Sequence, residues 1–480
     1  MLLITRRLAG RLRVVLRKAL NLSTRGLMPP VELLGSADGL RLCSRTPDAA
    51  AEFYLAGEQP AEHVTVPFQM LADVEGRRDD PVEIRLHEGR VLASWRDGSV
   101  PQVVQHDAPE SPSEDWPPMP QRLAENTPGL LKALDDACQT TDPDSTRYAL
   151  GCVQLRGKAG KIVATDGRQL LIQSGFTFPW DNDVLVPGTK VFGSPHLPQE
   201  EPVLVGRTDD WFTLSVGAWT FWWRIDKEGR FPKVEDHVQR PEQAIASFQL
   251  SETDRRFLVE NLPRLPGDDV MNFPVTLDLN GAVAVRAQGE GQTAVTELLL
   301  AGSTATGEPV RINTNRQYLA RAVRLGFDRV HVFSPKTPVL ACDEHRSYAW
   351  ALLEPESAIG PAEDAVRIAS SAPQSPVSTA KPIKKRSTPA VSPSIPNTTS
   401  RARTDGKAAS KNRPRKASDC TADSSDLAAL VEQAERFRTA ARDLAVQAGA
   451  LVKALKHHRR QSRSVARTIE SLRQLRTLGV

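Results

Sequence analysis

The stretch Gly160–Ile172, GKIVATDGRQLLI, decides how this chain is read. Two short apolar runs flank the polar Thr165-Asp166-Gly167-Arg168. Runs of this length around an Asp-Gly pair spell two antiparallel strands joined by a tight turn. Asp166 is then expected to be a turn residue and not a catalytic carboxylate. Gly167 supplies the backbone angle that the turn needs.

The same hairpin layout recurs along the chain. LLGSADGLRLCSR (33–45) precedes CVQLRGKAGKIVATDGRQLLI (152–172), and VTLDLNGAVAVRAQ (275–288) follows it. A helical pattern lies before each, over Arg7–Leu20, Thr127–Cys138 and Ser251–Leu262. After each comes an alternating strand that runs into a helix start. These are Val64–Pro67 before FQMLADV, Val184–Pro187 before GTKVFG, and Val310–Asn313 before TNRQYLARAVRL, at intervals of 120 and 126 residues. Further strand pairs begin at Pro81, Glu201 and Arg329. Three element types in one order at one domain-length interval imply an α+β chain of three like domains, each with two helices packed on β-sheets. The domains are expected at 1–120, 121–240 and 241–357. The Pro- and acid-rich 107–120 and the QRPEQ of 239–243 mark the breaks.

A 480-residue chain exceeds one core, so several domains are required. Its net charge of +4 hides an asymmetry. From residue 361 on there are 23 Lys/Arg and 10 Asp/Glu, a balance of +13; residues 1–360 carry 39 and 48, a balance of −9. An acidic body with a basic tail favours nucleic acid or another polyanion as partner. Residues 358–424 are rich in Ser, Pro, Thr, Ala and cations, with too few large apolar groups to offset chain entropy, and are expected to be disordered. Over 425–476 an a/d seam that includes Leu430, Phe437, Leu444 and Leu451 predicts a helix that pairs with itself or a partner, or folds back on the body. Cys43, Cys138, Cys152, Cys342 and Cys420 have no metal-ligand spacing, and no disulfide framework is expected in so large a chain. No apolar run reaches membrane-span length. The Arg-rich start could be read as a transit peptide, but it also fits the first repeat.

The first helix has two clean sides. Leu8, Leu12, Val15, Leu16 and Ala19 form an apolar stripe, and Arg6, Arg7, Arg11, Arg13, Arg17 and Lys18 spread over the other side. Six cations on one side repel one another, and a phosphate backbone would relieve that repulsion; a solvated face is the plain alternative. No zinc-finger spacing and no helix-turn-helix accompanies them, so backbone contact without base reading is expected. No Walker loop and no Gly-x-Ser-x-Gly occurs. The carboxylate pairs at Asp79-Asp80 and Asp268-Asp269 read as solvated turn acids. The aromatic run Trp219, Phe221, Trp222 and Trp223 reads as core. No cofactor, metal site or enzymatic activity is expected.

Three segments carry a family likeness. TRYALGCVQLRGKAGKIVATDGRQLLI (146–172) is similar to the Thr-Arg-Tyr-x-Leu-x-Gly strand and Val-Ala-Thr-Asp-Gly turn of the bacterial sliding clamp, the beta subunit of DNA polymerase III. DKEGRFPKVEDHV (226–238) resembles its Asp-Gly-Arg-Phe-Pro-x-Tyr segment, and INTNRQYLARAV (312–323) its Asn-x-x-Tyr-Leu helix start, at Asn315, Tyr318 and Leu319. The likeness covers residues 1 to about 355. It implies a head-to-tail homodimer closed into a ring, with helices lining the hole and duplex DNA held topologically. Arg147 and Tyr148 are expected with the first-helix cations on the DNA side, as are Arg255 and Arg256, the third repeat's counterpart of that basic helix. The likeness also implies a cleft for client peptides of DNA polymerase, the clamp loader and repair factors, formed by Leu150, Thr165, Gly167, Arg168, Gln169, Leu170, Pro232, Val339, Ala349 and Ala351. A clamp of this kind works in the cytoplasm, on the nucleoid. The spelling departs from the family at Arg168-Gln169, where His-Arg is usual, at Val234 in place of Tyr, and at Ala351–Pro355, which lacks the usual methionines. Those changes bear on which clients fit. A clamp-fold scaffold or accessory clamp, acting through its basic tail and helical seam, is the alternative.

Overall fold

The computed structural model describes residues 1–370 apart from 24–27, 112–114, 146–147, 235–237, 270–271 and 290. Arg147, the remainder of the Ser/Pro-rich segment and the 425–476 seam lie outside the described residues.

The first repeat runs β1 (Leu2–Thr5), α1 (Arg6–Ala19), β2 (Val31–Gly35), β3 (Gly39–Thr46), β4 (Ala49–Ala56), β5 (His63–Val66), α2 (Phe68–Val74), β6 (Pro81–His87), β7 (Arg90–Asp97) and β8 (Val100–Asp107). The second runs β9 (Leu123–Asn126), α3 (Gly129–Cys138), β10 (Cys152–Arg156), β11 (Lys161–Thr165), β12 (Gln169–Ser174), β13 (Asp183–Pro187), β14 (Val203–Arg207), β15 (Trp211–Val216) and β16 (Trp219–Arg224). The third runs β17 (Ala246–Gln249), α4 (Glu252–Asn261), β18 (Pro274–Asp278), β19 (Ala284–Ala287), β20 (Thr296–Leu299), β21 (Thr304–Gly307), β22 (Arg311–Asn315), α5 (Arg316–Arg324), β23 (Arg329–Val332), β24 (Val339–Cys342) and β25 (Arg346–Trp350).

Two large sheets each span two repeats. One orders β5-β2-β3-β4-β16-β15-β14-β9 and the other β13-β10-β11-β12-β25-β24-β23-β17-β21. The junctions are the same in kind. β4 pairs antiparallel with β16, Phe53 opposite Trp219; β12 pairs antiparallel with β25, Gln169 opposite Trp350. In both, the third strand of one repeat's hairpin sheet meets the last strand of the next repeat. The two remaining sheets, β1-β6-β7-β8 and β22-β18-β19-β20, belong to the first and third repeats alone, with a further strand on the outer edge of β20.

Alternating aromatics fill the first junction. Trp219, Phe221 and Trp223 point to one face of β16, stack at 5.5–5.6 Å and are fully buried. The indole of Trp223 donates to the Ala19 carbonyl (2.9 Å), and the Thr189 hydroxyl donates to that of Lys18 (2.8 Å). Two of the last carbonyls of α1, which lie beyond the reach of the helix's own ladder, thus gain donors from the second repeat. The Thr5 hydroxyl caps its other end by accepting from Leu8 N–H.

Two expectations change. The segment after β13 forms turns and no helix, so the second repeat has one helix among the described residues. Pro187, Pro195 and Pro198 lack the helix donor, and Gly188 and Gly193 are poor helix formers that favour turns. Its apolar residues still fill the core, with Val191 and Phe192 buried. A Cβ at Gly193 would lie 2.5 Å from an Asp135 carboxylate oxygen, so a larger residue there would have to displace that side chain. The second change lies in the segment read as disordered from 358. Residues up to 370 are placed, and β26 (Val366–Ala369) pairs in parallel with β20.

The four cysteines among the described residues are unpaired. Burial raises the Cys138 and Cys152 thiols to about 12, so both are neutral core groups. No helix among the described residues is long and apolar enough to cross a membrane.

Candidate peptide cleft and basic groove

The Asp166 turn is built by its own side chain. One carboxylate oxygen accepts from the N–H groups of Arg168 and Gln169 (both 2.8 Å), and the other accepts from the Gln169 amide (2.8 Å). Gly167 has φ +89°. The Thr165 hydroxyl donates to the Gln169 carbonyl (2.6 Å) and accepts from Gly167 N–H (3.0 Å). Asp166 is fully engaged as a turn acid, and nothing about it is arranged for proton transfer.

That turn closes the end of the β12·β25 junction and forms the floor of a cleft. The Ala351 N–H donates to the Arg168 carbonyl (2.8 Å), and the Tyr348 hydroxyl donates to the Gln169 side-chain oxygen (2.7 Å). Gln169 is therefore held between Asp166 and Tyr348 and is buried. Trp350 is pinned by its indole N–H to the Thr314 hydroxyl (2.9 Å). The cavity holds about 260 Å³ and is lined mainly by apolar groups. Leu150, Thr165, Gly167, Arg168, Gln169, Leu170, Pro232, Ala349 and Ala351 come together there, as does Val234. Val339 does not line it; that side chain is wholly buried, and Pro338 beside it takes the place. Tyr148, assigned above to the DNA side, lines this cleft too. Lys233 and Trp350 were missed by sequence reasoning, although they neighbour Pro232 and Ala349. The floor is packed from beneath: Leu170 clusters with Val163 and Val234, and Ala349 with Leu340 and Phe333. Such a site suits an extended peptide with apolar side chains. Arg168 stands at the rim, its guanidinium 3.4 Å from the Asn272 side-chain oxygen.

The basic side of α1 is less uniform than its sequence. Arg13 makes a two-point pair with Glu75 (2.6 and 2.9 Å). Arg7 pairs with Asp79, and Arg6 lies between Asp80 (3.8 Å) and Asp97 (3.3 Å) over the Trp95 ring. The turn acids Asp79 and Asp80 thus neutralise the helix start. Arg11 donates to the His196 carbonyl (3.2 Å). Arg17 and Lys18 have no acidic partner among the described residues. They line a groove with Arg13, Asn21 and Lys190, a lysine contributed by the second repeat. Their place in the last turn is also where the helix dipole favours cations. In the third repeat Arg256 pairs with Glu252 and Arg255 reaches the Gly326 carbonyl (3.4 Å). Arg321 works as a latch: its guanidinium donates to the Asp136 carbonyl (2.6 Å), the Thr140 hydroxyl (2.8 Å) and the Gln139 side chain (3.2 Å) at the end of α3.

No family model and no curated protein sequence matches the chain. Solved structures do. A sliding clamp from Pseudomonas aeruginosa, crystallised with griselimycin, superposes with TM-score 0.61 at 20% identity over 73% of this chain and 98% of that one. The sliding clamp of Bacillus subtilis gives 0.61 at 16% identity, over 74% and 98%. A DNA polymerase III beta chain from Streptococcus pneumoniae gives 0.60 at 14% identity, over 74% and 100%. The chain has the bacterial sliding-clamp fold. Its clamp portion spans those proteins almost end to end, and about a quarter of this chain lies beyond the match. Identity this low marks a divergent form of that fold, and it fits the changed spelling at Arg168-Gln169, Val234 and Ala351.

Proposed function

We propose that this protein is a sliding clamp: two copies close head to tail into a ring around duplex DNA and tether DNA polymerase and other clients through the cleft beside Leu170. The observation that carries this reading is the repeated junction. β4·β16 and β12·β25 join successive repeats by one rule, and that rule leaves two strands of one chain without a partner from another repeat. They are the third strand of the last repeat, β20, and the last strand of the first repeat, β8. A second copy supplies each to the other, and the heterologous contact closes on itself.

The outer edge of β8 suits the task. The Ala108 N–H donates to the Gly89 carbonyl in the β7–β8 hairpin. This parity turns the Val103, Gln105 and Asp107 amides away from β7, and Pro101, which has no amide hydrogen, shares that edge. Val100 and Val103 are 55% and 65% exposed.

Topological confinement needs no tight DNA site, only mobile contacts to phosphates. Arg17, Lys18 and Lys190 provide them, and the acid-paired Arg6, Arg7 and Arg13 contribute less. The protein does no chemistry of its own and works on the nucleoid in the cytoplasm. The domain limits 1–120, 121–240 and 241–357 follow from the same repeat.

Gel filtration with end-labelled DNA tests this function. The protein should stay on a nicked circle and run off a linear duplex of the same length. Equal retention on both, abolished by removing residues 376–480, would instead establish the scaffold reading.

A further inference from the structure

The edge that ring closure needs is occupied in this chain. β20 is the counterpart of β4 and β12, each of which presents its outer edge to another repeat through a five-residue antiparallel register. On β20 that edge carries β26 instead, in a four-residue parallel register with Val366 opposite Thr296 and Ala369 opposite Leu299. The Val366 N–H donates to the Val295 carbonyl (2.8 Å), and the Ser370 N–H donates to that of Leu299 (2.9 Å). The parallel ladder between them directs the Ile368 N–H at β20 as well. Two side-chain contacts add to it: Arg367 lies 3.1 Å from Glu297, which is buried, and the Ser370 hydroxyl accepts from the Ala301 N–H (3.0 Å).

We propose that β26 is a built-in cap that competes with a second copy of this chain for the β20 edge, and that the ring closes only when the strand is displaced. This rests on the ring reading above. A strand edge has one row of donors and acceptors, so β26 and the partner's β8 exclude each other. The cap is made to yield. All four of its strand residues are exposed, with Val366 54% and Ile368 41% accessible, whereas the inter-repeat junctions bury Trp219, Phe221 and Trp350. Parallel pairing is also slightly less stable per residue than the antiparallel pairing it prevents. The 111 residues that follow β26 are basic, and a polyanion that engages them is the expected trigger for displacement.

The test is the dimer dissociation constant, measured by light scattering on the full chain and three variants. Ile368→Pro removes the central β26 donor, and Arg367→Glu sets a carboxylate against Glu297. Either should strengthen dimerisation at least ten-fold. Adding Val103→Pro on the outer edge of β8 to Ile368→Pro should abolish the gain. If the full chain and both single variants dimerise equally, and Val103→Pro still disrupts the dimer, the cap is overturned and the ring reading stands. If none of them dimerises, or Val103→Pro has no effect on a dimer, both are overturned.

Discussion

Replacing Arg286 with Met would show what holds the third repeat's closing sheet together. Arg286 lies on β19 between Asp278 on β18 and Glu297 on β20, 2.5 Å from an oxygen of each. All three side chains are 5–7% exposed. Methionine fills much of the same volume but leaves two buried carboxylates without their shared cation. Removing one partner of a buried pair typically costs about 3–5 kcal/mol. Arg311 still reaches Asp278 (3.2 Å) and Arg367 still reaches Glu297 (3.1 Å), so the lower end, about 3 kcal/mol, is expected here. The assay is hydrogen exchange at the β18 and β19 amides under native conditions, which reports the opening of this sheet by itself. Protection should fall roughly 150-fold, the equivalent of that energy. A fall below five-fold would refute the view that Arg286 is the neutralising centre. The pH dependence gives a second reading. Burial raises the Asp278 carboxyl, but its hydrogen bonds from Arg286 and the Asn280 N–H, with the charges of Arg286 and Arg311, outweigh that and hold it below the usual range. A depressed folded value means stability present above the unfolded carboxylate range and lost as pH falls through the folded one. The wild-type sheet should therefore weaken on acidification below that range, and the variant should show much less of this loss.

Three further outcomes are expected. Arg321→Ala removes the donors that clasp the end of α3 and should cost about 2 kcal/mol where the second and third repeats meet, read as faster exchange of the last α3 amides; unchanged exchange would show that the latch is idle. Arg17→Glu with Lys18→Glu should weaken DNA retention and lower the slope of log affinity against log salt by about 2, one for each phosphate no longer neutralised; an unchanged slope would remove this groove from the DNA side. Leu170→Lys should abolish binding of an extended client peptide with apolar side chains, measured by fluorescence anisotropy, with the dimer mass unaltered; binding that survives would place the docking site elsewhere.

The hairpins were legible because Asp-Gly turns and alternating strands are local signals. The Asp166 turn forms through bonds spanning only two or three residues. The helix expected after Pro187 failed for a related reason. Val191 and Phe192 give the segment an apolar look, but its glycines and prolines direct it into turns that bury the same side chains. The cleft was reachable through the family likeness alone, since its walls come from positions 148–170, 232–234 and 338–351, which nothing local connects. The cations of α1 looked uniformly free because their acids, Glu75, Asp79, Asp80 and Asp97, lie more than sixty residues away along the chain. β26 escaped notice because Val-Arg-Ile-Ala inside a Pro- and Ala-rich segment has no strand signature; its order comes from the β20 ladder and from Glu297.

The central claim is that two copies enclose the duplex by repeating the junction already made twice within each chain. Electron microscopy of the protein bound to nicked circular DNA tests it most directly. Closed rings of six similar lobes, with the duplex passing through the hole, are the predicted result. Three-lobed particles lying beside the duplex would contradict it.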